Sequence, residues 1–296
     1  MKMNIRLIQI PYDSGSYNKR MGKGPFCFIE NGLVETLKEK DYSIEEVVIE
    51  SKETFAMEIG TSFELLRLVA VEVRNSLSKK AFPIILAGNC NTTVGAISGL
   101  SSQNPGLIWF DAHGDFNTPE TTVSGFLDGM GLSLVTGHCW QEMVKTIPGY
   151  RPLPEDRVLL IGARDFDDME YSRLESSEIT HLKWNELREL GVEKSLNSHL
   201  HNLSRKVDQV YIHVDMDVHD ANLAPTNHLQ PEGGLTPMEV RDTVRKVRSQ
   251  FPICGASITA FNPDADENNK GLNAGTELIK LICEIASNQE KKKISS

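Results

Sequence analysis

Cysteine is sparse in this chain. Five residues, Cys27, Cys90, Cys139, Cys254 and Cys283, lie far apart with no C-x-x-C pair. That excludes a disulfide framework and a cysteine-rich structural zinc knuckle. Positive charge is in deficit, with 31 Lys and Arg against 41 Asp and Glu and a formal net charge of -10. No basic field exists to collect nucleic-acid phosphates or an anionic membrane surface, so neither is expected as a partner. Long apolar runs are missing as well. The opening MKMNIRLIQIPYD is too short and too polar for a secretory h-region, and no later window approaches a spanning helix, so a cytoplasmic location is expected. No internal repeat, low-complexity segment or Pro/Gly/Ser-rich linker divides the chain. A single domain over 1–296 is therefore expected, with 290–296, inside NQEKKKISS, as a solvated and frayed end.

What is present is an alternation of short β-rich runs with longer helical patterns. The strand candidates are NIRLIQIPYD, EEVVIES, AFPIILAGN, GLIWFDAHGD, RVLLIGARD, DQVYIHVDMDV and GASITAFNP. Several are almost continuously apolar, which suits strands buried on both faces of a parallel sheet. Between them, Phe63, Leu66, Ala70, Val73 and Leu77 recur at helical spacing, and TPMEVRDTVRKVRSQ opens with a Thr cap and a Pro at the first helical position. The order predicts a three-layer α/β domain.

Polar residues gather at the carboxyl ends of these strands, the edge of an open parallel sheet where ligands bind. Asp111, His113 and Asp115 follow one another at a spacing of two, as do His213, Asp215 and Asp217. If the backbone stays extended, each set shares a face. Four carboxylates converging in a partly dry cleft repel one another unless cations compensate. Two divalent ions supply the needed charge. Carboxylates with one imidazole suit Mn²⁺, and a pair of ions about 3.5–4 Å apart can activate water and clamp a substrate. The stretch LAGNCNTTVGAISG reads as a strand running into a glycine-flanked loop and a helix, with Asn89 and Cys90 at the tip. Cys90 there is expected to complete the ligand set of one ion. The other four thiols read as buried and inert. His213 is open between two roles, a partner orienting a ligating carboxylate and a satisfied core histidine. His138, His181, His201 and His219 read as surface or loop residues, and His228 as the exception that reaches the substrate.

The segments AGNCNTTVGAISG, WFDAHGDFNTPETTVSG and VDMDVHD together resemble the three metal-binding segments of the arginase/agmatinase (ureohydrolase) family, with RMGKGP and IGARDFDDME in the expected order. The resemblance covers nearly the whole chain. It implies one α/β domain with a parallel sheet of about eight strands, assembly into homotrimers or hexamers, and a small amino-acid-like substrate. It also implies a binuclear Mn²⁺ cluster that activates water for attack on a guanidinium carbon, releasing urea. By that similarity Asp111, His113, Asp115, Asp215 and Asp217 are metal ligands, with His113 inside the catalytic machinery. Asn117, Ser124 and Asp167 fall where arginases hold the substrate's α-carboxylate and α-amino groups. Three positions depart from the pattern. Cys90 stands where the first segment carries a ligand His, as in some hydroxyarginine-type amidinohydrolases. Asp128 in SGFLDG replaces the proton-shuttling His, and Ala260 in TAFNP replaces the Glu that grips the guanidinium.

The leading expectation is a binuclear-metal hydrolase of the arginase type, cleaving a C–N bond in an amino-acid-like substrate other than ordinary arginine, with Asp128 passing a proton to the leaving amine. A non-catalytic arginase-like metal-binding subunit is the alternative, favoured by the altered shuttle and the lost anchor. Against it stand the retained carboxylates, which a decayed site has no need to keep. A single-ion deacetylase-like amidohydrolase is a more distant third.

Overall fold

The structure is a computed structural model describing residues 2–100 and 103–295, with only the backbone described at 192–193 and 291–295. Eight strands form one sheet. They are β1 (Asn4–Ile10), β2 (Ser43–Val48), β3 (Phe82–Ala87), β4 (Gly106–Phe110), β5 (Val158–Ile161), β6 (Thr180–Leu182), β7 (Val210–Asp215) and β8 (Ile253–Thr259). In the sheet they run in the order β2-β1-β3-β8-β7-β4-β5-β6, and every neighbouring pair is parallel. All seven apolar runs became strands. The eighth, β6, is a three-residue edge strand whose Thr-His-Leu carries too little apolar signal to be read from sequence.

Successive side chains point to opposite faces, so each strand feeds two cores. Ile84, Leu86, Ile108, Phe110, Ile212 and Val214 pack on one side against helices that include Pro237–Gln250 and Lys270–Ser295. On the other side Ile85, Ala87, Leu107, Trp109 and Tyr211 meet the helices Glu58–Ser78 and Thr92–Gly99. The predicted stripe holds: Phe63, Leu66, Ala70 and Val73 are buried in Glu58–Ser78, while Leu77 is half-buried. Burial of the Phe, Leu and Val side chains stabilises by about 1.5–3 kcal/mol each. Helix Pro237–Gln250 begins as predicted, with Thr236 Oγ1 accepting from Glu239 N at 3.1 Å and the Glu239 carboxylate accepting from Thr236 N at 2.8 Å. The final helix continues through the stretch expected to fray, as far as Ser295, with the side chains beyond 290 outside the described residues. Among the described residues no helix is long and apolar enough to cross a membrane.

Candidate metal centre

The register brings the central strands to a common edge. Thr259 lies level with Asp215 and Ala87, and Phe110 with Val214 and Ile161. The residues that follow β3, β8, β7, β4 and β5 therefore surround one cavity of about 600 Å³, whose lining includes Cys90, His113, Asp115, Asp215, Asp217 and Ala260. The loop carrying Cys90 tucks in only because residue 88 is glycine. A Cβ there would lie 2.2 Å from the carbonyl oxygen of Tyr12.

The ligand candidates converge by a route different from the extended one expected. Strand β4 ends at Phe110, and Asp115 turns to φ +47°, a left-handed conformation that costs a non-glycine residue energy. Asp215 closes β7, and Met216–Val218 coils into a 3₁₀ turn rather than continuing the strand. Asp217 N donates to Asp215 Oδ1 at 2.7 Å, so the turn folds the second carboxylate back beside the first. A period-two reading places the residues correctly in the chain and misstates how they meet.

Within the centre, His113 Nδ1 lies 3.1 Å from Asp217 Oδ2 and 3.5 Å from Asp111 Oδ1. Asp111 is held by the His113 backbone N–H at 2.7 Å and by Trp109 Nε1–H at 2.8 Å, while the Ala112 N–H donates to Asp217 at 3.1 Å. The Cys90 thiol donates to Asp215 Oδ2 at 2.8 Å and sits 3.1 Å from Thr259 Oγ1. Burial, followed by the charges of its neighbours, raises the pKa of Asp111, Asp115 and Asp215 and pushes the Cys90 thiol well up. Burial acts on His113 and Asp217 in the opposite sense to their mutual attraction. The attraction wins, so His113 is raised well above its ordinary value and Asp217 lowered.

This donor set fits divalent cations. Asp111, His113 and Asp217 each offer a ligand atom within 4.8 Å of the others, and so do Cys90, Asp111 and His213. Asp115 Oδ2 and His213 Nε2 are buried without a hydrogen-bond partner among the described residues. Such orphaned groups cost free energy unless something satisfies them. Asp215 and Asp115 fall outside both triads, although Asp215 touches Cys90 directly.

Other expected residues are distributed around the cavity. Asp128 is buried and accepts from Asn89 Nδ2, Cys90 N and Asn91 N at 2.8–2.9 Å, tying the Cys90 loop in place. Burial outweighs these bonds and lifts its carboxyl to about 7. Asn117 Nδ2 donates to Asp167 Oδ2 at 3.0 Å, and Asp167 also caps the helix Asp168–Glu175. Ser124 and His228 are exposed residues of the cavity lining. His219 and His181 correct the surface or loop assignment: His219 is buried, with Nδ1 2.8 Å from Met216 O, and His181 lies half-buried within β6 with its ring against Phe166.

Sequence reasoning missed three contributors. Trp109 reaches Asp111 and stacks on His213 with centroids 3.7 Å apart. Arg164, inside the IGARD segment, donates to the carbonyls of Asp217 and His219. Arg20 pairs at 2.8 Å with buried Asp13 on the cavity wall. An Arg and a Trp immediately beside the acidic segments were the available signals.

The comparisons with known proteins agree with this arrangement. The model of the arginase family matches residues 3–284. The chain belongs to the arginase family. Members are hydrolases of non-peptide carbon–nitrogen bonds in amidines and guanidines. Arginase of Bacillus subtilis strain 168 is 30% identical over 298 residues, covering 95% of this chain and 98% of its own. The native arginase structure from Bacillus caldovelox superposes with a TM-score of 0.86 at 27% identity, covering 96% of this chain and 98% of that one. The agmatine ureohydrolase of Thermoplasma volcanium shares the fold, with a TM-score of 0.73 at 20% identity over 98% of this chain and 92% of that one.

Proposed function

We propose that this arginase-family chain is a binuclear-metal hydrolase that releases urea or a substituted urea from a guanidino or amidino group on a small amino-acid-like molecule, with ordinary L-arginine a poor substrate. The observation that carries the substrate reading is Ala260. It lines the cavity where the family pattern places the guanidinium-gripping Glu. Its backbone is held at φ +59°, with its N–H donating to Ala87 O at 3.2 Å and its carbonyl accepting from Asn227 Nδ2 at 2.9 Å. The backbone here is strained and the side chain carries no carboxylate.

A guanidinium entering here lacks a charge-assisted pair worth about 1.5–3 kcal/mol per hydrogen bond. That is one to several powers of ten in kcat/KM. A less basic head group, such as an N-hydroxyguanidine, depends less on that anchor. Asp111, His113, Asp115, Asp215, Asp217 and Cys90 would hold the ions, Mn²⁺ by family resemblance. Bound there, divalent cations supply Lewis-acid polarisation and a water that ionises near neutral pH. Trp109 and Thr259 orient Asp111 and Cys90. Asp128 takes the place of the proton-shuttling His. Asn117, Asp167 and Ser124 receive the amino-acid end of the substrate, with His228 at the mouth. The reading includes one catalytic domain over 1–296, a cytoplasmic location and a homotrimer or hexamer, and the net charge of -10 supports leaving nucleic acid out.

The test compares release of urea or hydroxyurea from L-arginine, agmatine and N-hydroxy-L-arginine at saturating Mn²⁺. The N-hydroxyguanidine is expected to be cleaved best, and Ala260→Glu with Asp128→His to shift preference toward arginine. Efficient urea release from L-arginine by the parent refutes the substrate assignment. Silence on every amidine with both ions bound favours the non-catalytic subunit.

A further inference from the structure

His213 carries a ring nitrogen, Nε2, for which the described residues supply no hydrogen-bond partner. It lies two residues before Asp215 on β7 and is fully buried. Its Nδ1 lies 2.7 Å from Thr93 Oγ1, and Thr93 Oγ1 in turn donates to Ser257 Oγ at 3.1 Å. With the Thr93 proton committed to Ser257, Nδ1–H donates to Thr93 and Nε2 carries a lone pair. Among the described residues that nitrogen has no hydrogen-bond partner. Trp109 stacks on the ring at 3.7 Å and 26°, fixing its plane. A ring whose far N–H is tied to an acceptor while its other nitrogen is free is the arrangement in which histidines ligate metals. A histidine satisfied only by packing would leave no such orphan in a buried site.

Cys90 Sγ, an Asp111 carboxylate oxygen and a ring nitrogen of His213 lie within 4.8 Å of one another, all three buried. The second triad, Asp111 with His113 and Asp217, contains no sulfur. The two lobes therefore differ in chemical softness. Carboxylate-rich sets suit Mn²⁺, while thiolate with imidazole suits Zn²⁺.

We infer that the lobe formed by Cys90, His213 and Asp111 is a site for a thiophilic divalent ion of the zinc type, His213 supplying the imidazole that the family pattern would have placed at position 90. The inference rests on reading the acidic cluster as a metal centre. Binding breaks the Cys90 S–H bond, releases that proton to solvent and forms the metal–sulfur bond. Asp215, which now accepts from the thiol at 2.8 Å, is freed for the neighbouring ion.

The test loads the purified full chain with one equivalent of Zn²⁺ and reads the zinc-edge X-ray absorption spectrum, then titrates Mn²⁺ into the same sample. One sulfur together with one imidazole on zinc, with Mn²⁺ still taken up, supports the inference. Sulfur without imidazole, or imidazole without sulfur, overturns it, and in either case Mn²⁺ uptake leaves the metallohydrolase reading standing. Failure to bind either ion overturns both. His213→Asn should lower Zn²⁺ affinity at least about tenfold, since even outer partners of metal ligands are worth that much, and should leave Mn²⁺ uptake unchanged. Equal Zn²⁺ affinity in a variant that melts like the parent overturns the inference. If the variant does not fold, the parent spectrum decides.

Discussion

Arg164→Lys is the perturbation that most directly probes how the fold holds the acidic turn. The guanidinium donates to the carbonyls of Glu232, Asp217, Pro231, Gly233 and His219 at 3.0–3.3 Å, with longer contacts to Gly162 and Val218. One side chain thus clamps the turn after β7 to the loop at 231–233. The five shorter contacts are served by three N–H groups, one on Nε and two shared among four carbonyls on Nη2; an ammonium on a shorter-reaching stem lacks that rigid planar fork, so about two of the contacts are lost. Hydrogen bonds to a charged group contribute about 1.5–3 kcal/mol each. The half-buried head admits some water, which reduces the net loss to about 2–4 kcal/mol, or roughly 3–6 °C in melting temperature for a chain of this size. The freed carbonyl of Asp217 loosens the turn that aims its carboxylate, so Mn²⁺ affinity should also fall by about 10–100-fold. Thermal melts with and without Mn²⁺, and calorimetric titration of the metal-free protein, measure both effects. An Arg164→Lys protein with the parent's melting temperature and Mn²⁺ affinity would refute the clamp.

Other outcomes follow from the same contacts. Trp109→Phe keeps a ring against His213 and deletes the N–H on Asp111, so metal affinity should drop about tenfold or more, beside a stability loss of about 0.5–3 kcal/mol from the smaller buried ring, whereas unchanged affinity would reduce Trp109 to packing. Chelation should lower the melting temperature by several degrees, because ions that bind only the native state stabilise it, and readdition of Mn²⁺ should restore it. Burial raises the Glu170 carboxyl from 4.5 to about 7, against the N–H bonds of Phe116 and Asp167. The native state therefore binds its proton more tightly than the unfolded chain. This contribution to stability is complete below about pH 4.5 and lost as pH rises toward 7, amounting to up to about 3 kcal/mol. In melts of the Mn²⁺-loaded protein at about pH 5.5 and pH 8, Glu170→Gln should therefore gain stability relative to the parent as pH rises, because only the parent loses this contribution. A variant with the parent's full pH dependence would contradict the assignment.

The sequence by itself determined the layered sheet, because apolar runs buried on both faces have one economical solution and helical stripes between them cover it. It also determined where the carboxylates collect, since Asp111 and Asp215 sit at the ends of strands that register places side by side. It fell silent on β6, whose three residues are too few and too polar to carry a period. Only the tertiary structure decided how the ligands meet. Asp115 needs a left-handed turn and Asp217 a 3₁₀ turn, and neither conformation is written in a spacing of two. The two readings left open for His213 were likewise beyond the sequence. Whether a buried histidine is satisfied depends on what stands opposite each ring nitrogen. That was set by Thr93 on a helix 120 positions away and by the absence, among the described residues, of any partner for Nε2.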